Sequence, residues 1–161
     1  MLNLKKDNYL LILFLMSTII LITAYSLQYI LGYQPCYLCV IERIPYILAI
    51  IILILNYKFN KNELFYSVLL LLIFSFSFLI SLYHFGIELG LINESSVCGA
   101  KNVGSTTKED ILKSLQEMQI SCKDVTFRFF GLSLTSYNMV MSILMFLISM
   151  KIYLINNGNK K

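Results

Sequence analysis

Long uncharged runs of apolar residues alternate with polar segments along this chain. The stretches 9–31, 64–83 and 131–150 contain no charged residue and are rich in large aliphatic side chains. A helix of about 20 residues spans the hydrocarbon core of a bilayer, so each stretch is long enough to cross it. A fourth stretch, 41–57, forms a span if its helix begins upstream, with Glu42 and Arg43 at the interface. The pattern predicts an all-α protein, a four-helix transmembrane bundle, with residues 1–161 as one integral membrane domain.

The connections between these spans differ in length. Residues 58–63 form a tight turn, and residues 32–40 form a short loop in which Pro35 restricts the backbone before a cysteine. The third connection, residues 84–130, is the one long polar segment, and loops of that length are usually functional or disordered.

The long loop has a helical pattern of its own. Thr106 and Glu109 fit a capping box, and apolar residues then recur at helical spacing from Ile111 to Met118. We expect a short amphipathic helix that lies on the membrane surface or packs against the spans.

Composition and charge agree with a membrane protein. Of the 161 residues, 58% are hydrophobic and 14% are charged, against about 25% charged in soluble domains. This composition excludes a disordered chain and a conventional soluble enzyme. The net charge of +4 comes from lysines in the segments that flank the spans on one side, whereas the long loop has five cations and six acids. This positive-inside pattern predicts that both termini are cytoplasmic, and it requires no nucleic-acid partner.

The N-terminus admits a second interpretation. Two lysines, an apolar stretch and the triplet Ala24-Tyr25-Ser26 resemble a cleavable signal peptide. The apolar run continues through Ile30 and Leu31, which favours an uncleaved span.

Four cysteines lie in the two loops on the side opposite the lysines. They are Cys36 and Cys39, which form a CxxC motif, and Cys98 and Cys122, which flank the predicted amphipathic helix. Four cysteines allow three pairings, and Cys36–Cys39 with Cys98–Cys122 assigns one pair to each loop. With cytoplasmic termini, both pairs face an oxidising compartment, the periplasm in a bacterium.

Three kinds of site are compatible with these cysteines. A static disulfide suits Cys98–Cys122, where closing the loop contributes roughly 3–4 kcal/mol. It suits Cys36–Cys39 poorly, because so small a ring restrains little chain and CxxC thiols commonly have lowered pKa values. A zinc site is disfavoured because there is only one CxxC motif and His84 is the single histidine. Thiol redox chemistry is therefore the favoured interpretation, with no metal ligands assigned.

Arg43 lies four residues after Cys39. If the helix has already begun there, the two residues share a face, and the cation and the helix N-terminus favour the thiolate. If Pro45 instead occupies the first turn, Cys39 precedes the helix and this argument weakens. Arg43 then becomes an interfacial arginine paired with Glu42.

Two exchangeable disulfides in a small membrane bundle suggest an electron relay through mixed disulfides. The sequence has no haem-binding CxxCH, no glycine-rich dinucleotide fingerprint and no flavin motif. A lipid-soluble quinone is the acceptor that such an architecture serves.

These features resemble the disulfide-bond formation protein B family (DsbB). The segment 34–43, QPCYLCVIER, is similar to the family's signature, as are Tyr83-His84 and the segment 130–134, FGLSL. The four-span plan with a second cysteine pair in a long periplasmic loop also matches. The resemblance implies a bacterial inner-membrane enzyme that reoxidises a DsbA-like periplasmic thiol oxidase and reduces ubiquinone or menaquinone.

The resemblance also implies roles for individual residues. Cys36 and Cys39 are the pair that communicates with the quinone, with Cys39 nearest the ring, and Arg43 holds and polarises the quinone. Cys98 and Cys122 are the pair that the partner thiol attacks, with Cys98 forming the mixed disulfide.

Three further positions follow from the resemblance. Gln28 and His84 match polar residues near the family's quinone site, although a histidine at a span end is often simply interfacial. Better-known members carry a tryptophan after the last cysteine, and here Phe127 is near that place. Two alternatives remain: a structural or assembly protein with two static disulfides, and a vitamin K epoxide reductase-like enzyme, which fits the loop pair and the Arg43 spacing less well.

Overall fold

The computed structural model describes residues 4–59, 62–93, 98, 121–123 and 127–158. Within these residues the elements are α1 (Leu4–Tyr29), α2 (Tyr37–Ile41), α3 (Ile44–Phe59), α4 (Glu63–Glu88), β1 (Arg128–Phe129), β2 (Leu132–Ser133) and α5 (Leu134–Gly158). The amphipathic helix that the sequence predicts after Thr106 lies outside the described residues.

In the part of the chain that the structure describes, four helical segments are long and apolar enough to cross a membrane. They are Lys6–Tyr29, Tyr37–Phe59, Glu63–Glu88 and Leu134–Gly158, with mean hydropathies of 2.4, 2.5, 2.4 and 1.9. Many large apolar side chains on their outer faces are exposed, as expected for surfaces that contact lipid rather than water. The prediction of an all-α bundle with four spans is confirmed.

The helix ends correct several predicted boundaries. The long loop was predicted to begin at residue 84, but α4 continues to Glu88 and therefore contains His84. The helix ends where Gly90 adopts a φ of +73°, a conformation open to glycine, and the Leu91 N–H bonds back to the Gly86 carbonyl. His84 is consequently held on a rigid helix, not in a loop.

The second span is divided into two helices, which the predicted range 41–57 did not anticipate. The short α2 ends at Ile41, residues 42 and 43 form a turn, and α3 begins at Ile44 with Pro45 in its first turn. Proline suits the first turn because its missing N–H has no helical partner there. The turn directs the side chains of Glu42 and Arg43 to different neighbouring helices.

The last span begins later than the predicted residue 131. Residues 128–133 instead form a short antiparallel hairpin in which Phe129 pairs with Leu132. The two turn residues, Phe130 and Gly131, have φ values of 48° and 83°, as a type I′ turn requires. This hairpin leads directly into α5.

Small polar residues line the contact between α4 and α5. The Ser77 and Ser142 hydroxyls lie 2.9 Å apart, and the Asn138 amide donates to the Ser81 hydroxyl at 2.7 Å. Small side chains allow close helix approach in a membrane, and hydrogen bonds satisfy polar groups that lipid cannot. The Tyr46 hydroxyl joins this network through Asn138, which fixes the start of α3 against α5.

Apolar packing completes the bundle around this polar contact. The buried core contains Leu13, Tyr46, Ala49, Leu53, Leu70, Phe74, Met145 and Ile152, contributed by α1, α3, α4 and α5. Residues from all four spans therefore pack together on the side of the turn at residues 42 and 43 where α3 lies. This packing holds the cysteine-bearing end of the bundle in place.

Candidate functional site

Cys36 begins the short helix α2 as its N-cap. Its backbone is extended, with φ −68° and ψ 168°, and its sulfur accepts the Cys39 backbone N–H at 3.2 Å. Sulfur thus takes the place of the side-chain oxygen that usually satisfies a free N–H at a helix start. The same local geometry turns the Cys39 side chain towards Cys36.

The two CxxC sulfurs lie 2.6 Å apart, and both cysteines are free thiols in this structure. Cys36 is buried, whereas Cys39 is half-buried. The sulfurs are close enough for one to stabilise negative charge on the other. They are also close enough for the dithiol to be oxidised to a disulfide and reduced again.

His84 reaches this pair from α4. Its Nε2 lies 3.5 Å from the Cys36 sulfur, and its Nδ1 lies 3.1 Å from Oε1 of Glu42. Both His84 and Glu42 are buried, with 2% and 6% of their surfaces exposed. A neutral imidazole protonated at Nδ1 donates to Glu42 and leaves Nε2 as an acceptor for the Cys36 thiol proton.

The environment favours the Cys36 thiolate. The hydrogen bond from the Cys39 thiol lowers the pKa of Cys36 from an ordinary value of 9.0 to about 5, His84 acts in the same direction, and burial opposes both. Thiolate is the nucleophilic form in disulfide exchange. The reduced pair is therefore arranged to react from the Cys36 sulfur.

Arg43 and Gln28 form a second polar contact, between the turn and α1. Arg43 Nη1 donates to Gln28 Oε1 at 2.5 Å, and the guanidinium carbon lies 4.9 Å from the centroid of the Tyr25 ring. Of the two arrangements open from the sequence, the structure shows the one in which Pro45 occupies the first turn and Cys39 precedes that helix, so Cys39 and Arg43 do not share a face of one helix. Arg43 consequently extends towards α1, and Glu42 extends towards α4.

An open groove of about 410 Å³ runs along α1 beside this contact. Its lining is almost entirely apolar and includes Leu21, Ile22, Tyr25, Tyr29 and Ile50. Tyr25 belongs both to the groove and to the Arg43 contact. Tyr25 thus joins the apolar groove to the Arg43 guanidinium.

The second cysteine pair is a disulfide between Cys98 and Cys122. Both residues are buried, and they pack in one apolar cluster with Cys36, Leu38 and Ile87. The two pairs are 59 or more residues apart in sequence, yet the fold brings them into one buried cluster. A ring contact between Tyr33 and Phe127, with centroids 5.0 Å apart, also joins the two loops.

The structure thus distributes the predicted residues over two adjacent groups. Cys36, Cys39 and His84 form one group, with the disulfide against it, while Arg43 and Gln28 form the other. Sequence reasoning assigned no role at the site to Glu42 or Tyr25. Glu42 was paired with Arg43, although neighbours on a helix do not face each other, and an ionisable residue within a span is itself a signal of function.

The prediction of no metal ligands stays a prediction, although three potential donors meet at this site. The donor atoms of Cys36, Cys39 and His84 all lie within 4.8 Å of one another, close enough to hold a metal ion. A single histidine was judged insufficient from the sequence, but the fold brings it from α4 to the CxxC pair.

Comparison with known proteins agrees with this geometry. A family model described as disulfide bond formation protein DsbB matches residues 6–152. The chain is also similar to the uncharacterized protein RP370 of Rickettsia prowazekii (strain Madrid E), with 32% identity over 145 residues that cover 86% of this chain and 84% of that protein. No solved structure matches the chain. The family match extends over nearly the whole sequence, so this multi-pass membrane protein belongs to the DsbB family of disulfide bond formation proteins, and that membership implies disulfide oxidoreductase activity.

Proposed function

We propose that this protein reoxidises a DsbA-like periplasmic thiol oxidase and passes the electrons to a membrane quinone, ubiquinone or menaquinone. The observation that carries the proposal is the shared buried cluster of the two cysteine pairs. A static disulfide has no need of a neighbouring CxxC pair. A relay needs the two pairs within exchange distance.

The first exchange takes place in the long loop. A thiolate of the reduced partner attacks Cys98, the Cys98–Cys122 bond breaks, and Cys122 leaves with the electron pair. The second partner thiol then releases Cys98, so the partner gains a disulfide and the loop pair becomes a dithiol. Because Cys98 and Cys122 are buried, the partner must displace neighbouring groups to reach them.

The second exchange moves the two electrons to the CxxC motif. A thiolate of the loop pair attacks the Cys36–Cys39 disulfide, and a second exchange restores Cys98–Cys122 and leaves Cys36 and Cys39 reduced. Cys36 is the favoured leaving group in this step because His84 stabilises its thiolate, and the Cys39 thiol adds its hydrogen bond once the pair is fully reduced. His84 and Glu42 hold the proton that moves as Cys36 alternates between thiol and thiolate.

The groove beside Arg43 fits a quinone, which would accept two electrons and two protons as Cys36 and Cys39 form their disulfide. The apolar lining of the groove suits an isoprenoid tail, and the Arg43 guanidinium, which contacts the groove residue Tyr25, suits a polar carbonyl. Gln28 holds the guanidinium in orientation through its hydrogen bond. The arginine fork can contact Gln28 and still present a further N–H.

The placement in the cell follows from the charges. Lysines flank the ends of the spans opposite the cysteines, and the Lys6–Glu63 ion pair lies at that end of the bundle. By the positive-inside rule, this end is cytoplasmic in the bacterial inner membrane, and both cysteine pairs face the periplasm.

A reconstituted assay tests the proposal. The purified protein is mixed with a reduced DsbA-like oxidase and a short-chain quinone, and quinone reduction is followed. We expect one quinone reduced for each partner disulfide formed.

Cys36→Ser should abolish quinone reduction but still allow one stoichiometric exchange at the loop pair. Cys122→Ser, mixed with the oxidised partner, should form a mixed disulfide, because the free Cys98 thiolate attacks the partner's disulfide and releases one partner thiolate. A loop disulfide that the partner never reduces, or undiminished quinone reduction in Cys36→Ser, would overturn the relay.

A further inference from the structure

The CxxC pair and His84 present three donors of the kind that bind zinc. Two cysteine sulfurs and one imidazole nitrogen converge from α2 and α4, and all three atoms lie within 4.8 Å of one another. Zinc prefers cysteine sulfur and histidine nitrogen in tetrahedral geometry. The proposed relay uses the two sulfurs and gives His84 a role in proton transfer with Cys36, and the same three donor atoms also form a ligand set for a metal.

We infer that the reduced protein binds one Zn²⁺ through Cys36, Cys39 and His84, and that the bound metal holds the CxxC pair in its reduced state. Three protein ligands leave a fourth position open to water or another small ligand, as in zinc sites that are not purely structural. The inference does not depend on the identity of the quinone or of the thiol partner.

The second contact of His84 supports a ligand role. Metal-binding histidines almost always donate their other ring N–H to a carboxylate or a carbonyl, which fixes the ring and its tautomer. Here Nδ1 lies 3.1 Å from Oε1 of the buried Glu42, while Nε2 faces Cys36. In the neutral ring whose Nδ1 proton is donated to Glu42, Nε2 is unprotonated and faces the Cys36 sulfur, as metal binding requires.

The distances fit a tetrahedral site after one adjustment. With Zn–S of about 2.3 Å and Zn–N of about 2.0–2.1 Å, sulfur and nitrogen should be about 3.6 Å apart and the two sulfurs about 3.7 Å apart. The Cys36 sulfur lies 3.5 Å from Nε2, close to the first value. The sulfurs lie 2.6 Å apart, so the half-buried Cys39 side chain must move by about 1 Å.

Charge balance favours the metal at this depth. Burying an isolated charge at the edge of the bilayer is costly, whereas Zn²⁺ with two thiolates and a neutral imidazole adds no net formal charge beside the buried Glu42. Binding requires both thiols to lose their protons, and these are released to solvent. No electrons are exchanged, because zinc is not redox-active.

Zinc and the disulfide exclude each other. A sulfur that is bonded to its partner in the Cys36–Cys39 disulfide has no thiolate to offer, so only the reduced protein binds the metal. Conversely, oxidation must displace the metal before the two sulfurs can bond. Zinc should therefore inhibit reoxidation of the CxxC pair, at concentrations set by its affinity for the reduced protein.

The test uses the full-length protein in detergent, with Cys98→Ser and Cys122→Ser so that only the CxxC thiols remain. Zn²⁺ is titrated into the reduced and the oxidised forms by calorimetry. We expect one ion per reduced protein and none for the oxidised form. Co²⁺ in place of zinc should give thiolate-to-metal charge-transfer absorption. Binding by the oxidised form at the same affinity would refute the site.

Variants and footprinting identify the ligands. His84→Ala should weaken zinc binding at least tenfold, and Glu42→Gln should weaken it about 10–100-fold through loss of the second contact. Glu63→Gln is the matched control at the opposite end of the bundle and should bind normally. In the unaltered background, zinc should protect both Cys36 and Cys39 from alkylation, as read by mass spectrometry. Absence of protection, or equal affinity in His84→Ala, would overturn the inference without reference to enzyme activity.

Discussion

The reactivity of Cys36 provides a quantitative test of the site. In the reduced protein the Cys39 hydrogen bond lowers the pKa of Cys36 to about 5. A lowered pKa means that the thiolate is present above about pH 5 and is lost as the pH falls through that value. Removing the donor with Cys39→Ala should raise the pKa towards its ordinary value of 9.0. The background again carries Cys98→Ser and Cys122→Ser, and a chelator keeps metal away.

Two opposing effects set how much Cys39→Ala changes the reaction rate of Cys36. At pH 6 a thiol of pKa 5 is about 90% ionised and one of pKa 9 about 0.1%, a ratio of about 900. Thiolate nucleophilicity falls with pKa at a Brønsted slope of about 0.4–0.5, which over four units costs about 40–100-fold. At pH 6 the difference in ionisation is the larger effect, so Cys36 should react about 10–20-fold faster in the parent than in Cys39→Ala. At pH 7 the two effects nearly cancel, and the two rates should be similar.

The assay is the pH dependence of Cys36 alkylation by iodoacetamide, read on the Cys36 peptide by mass spectrometry. The parent should show a midpoint near pH 5 and a plateau above it. Cys39→Ala should shift the midpoint upward by more than about one unit and raise the plateau, so that the two curves cross near neutral pH. Burial of Cys36 slows alkylation in every variant, and the midpoint is therefore the criterion.

Two controls complete this experiment. Cys39→Ser retains a hydroxyl donor and should shift the midpoint less than Cys39→Ala does. His84→Ala should also raise the midpoint, because His84 stabilises the thiolate. A parent midpoint near 9, or identical midpoints in the parent and Cys39→Ala, would show that the pair does not stabilise charge on Cys36.

Three further predictions concern the groove, the core and the topology. Arg43→Lys keeps the charge but loses the planar fork, so quinone reduction should slow or the quinone KM should rise, while exchange at the loop pair continues; unchanged quinone kinetics would leave Arg43 an anchor only. Phe74→Ala opens a cavity in the core and should cost about 3–5 kcal/mol of stability, measured by denaturation in detergent, whereas the lipid-exposed Phe76→Ala should cost much less; equal losses would contradict the packing. Reduced Cys98 and Cys122 should react with a membrane-impermeant thiol reagent in intact cells whose outer membrane is permeable, and reaction only after the inner membrane is opened would reverse the orientation.

Much of the fold could be predicted because its signals are local. The length and hydropathy of each apolar run indicate a span, whatever the rest of the chain does, because lipid requires every backbone polar group to be satisfied within the segment. Once the spans are located in this way, the sequence also shows that the cysteines lie outside the predicted spans. Helix ends were less predictable, since they depend on details such as the positive φ of Gly90 and the turn at Phe130 and Gly131.

The site itself could be predicted only as a set of residues. The sequence identifies Cys36, Cys39 and Arg43 by spacing, and a resemblance adds Gln28 and His84, but none of these signals says which side chains meet. Spacing suggested that Arg43 would face Cys39, and the turn after α2 removes that arrangement. Adjacent residues on the turn reach different helices, Glu42 to α4 and Arg43 to α1.

The tertiary structure decided these pairings because they depend on how each helix is rotated about its own axis. Successive helical residues point about 100° apart, so hydropathy that is nearly uniform around a span leaves its rotation undetermined. Buried contacts such as Ser77 with Ser142 and Tyr46 with Asn138 set that rotation for α3, α4 and α5. Only then does His84, 42 residues from Glu42 and 48 from Cys36, lie between them.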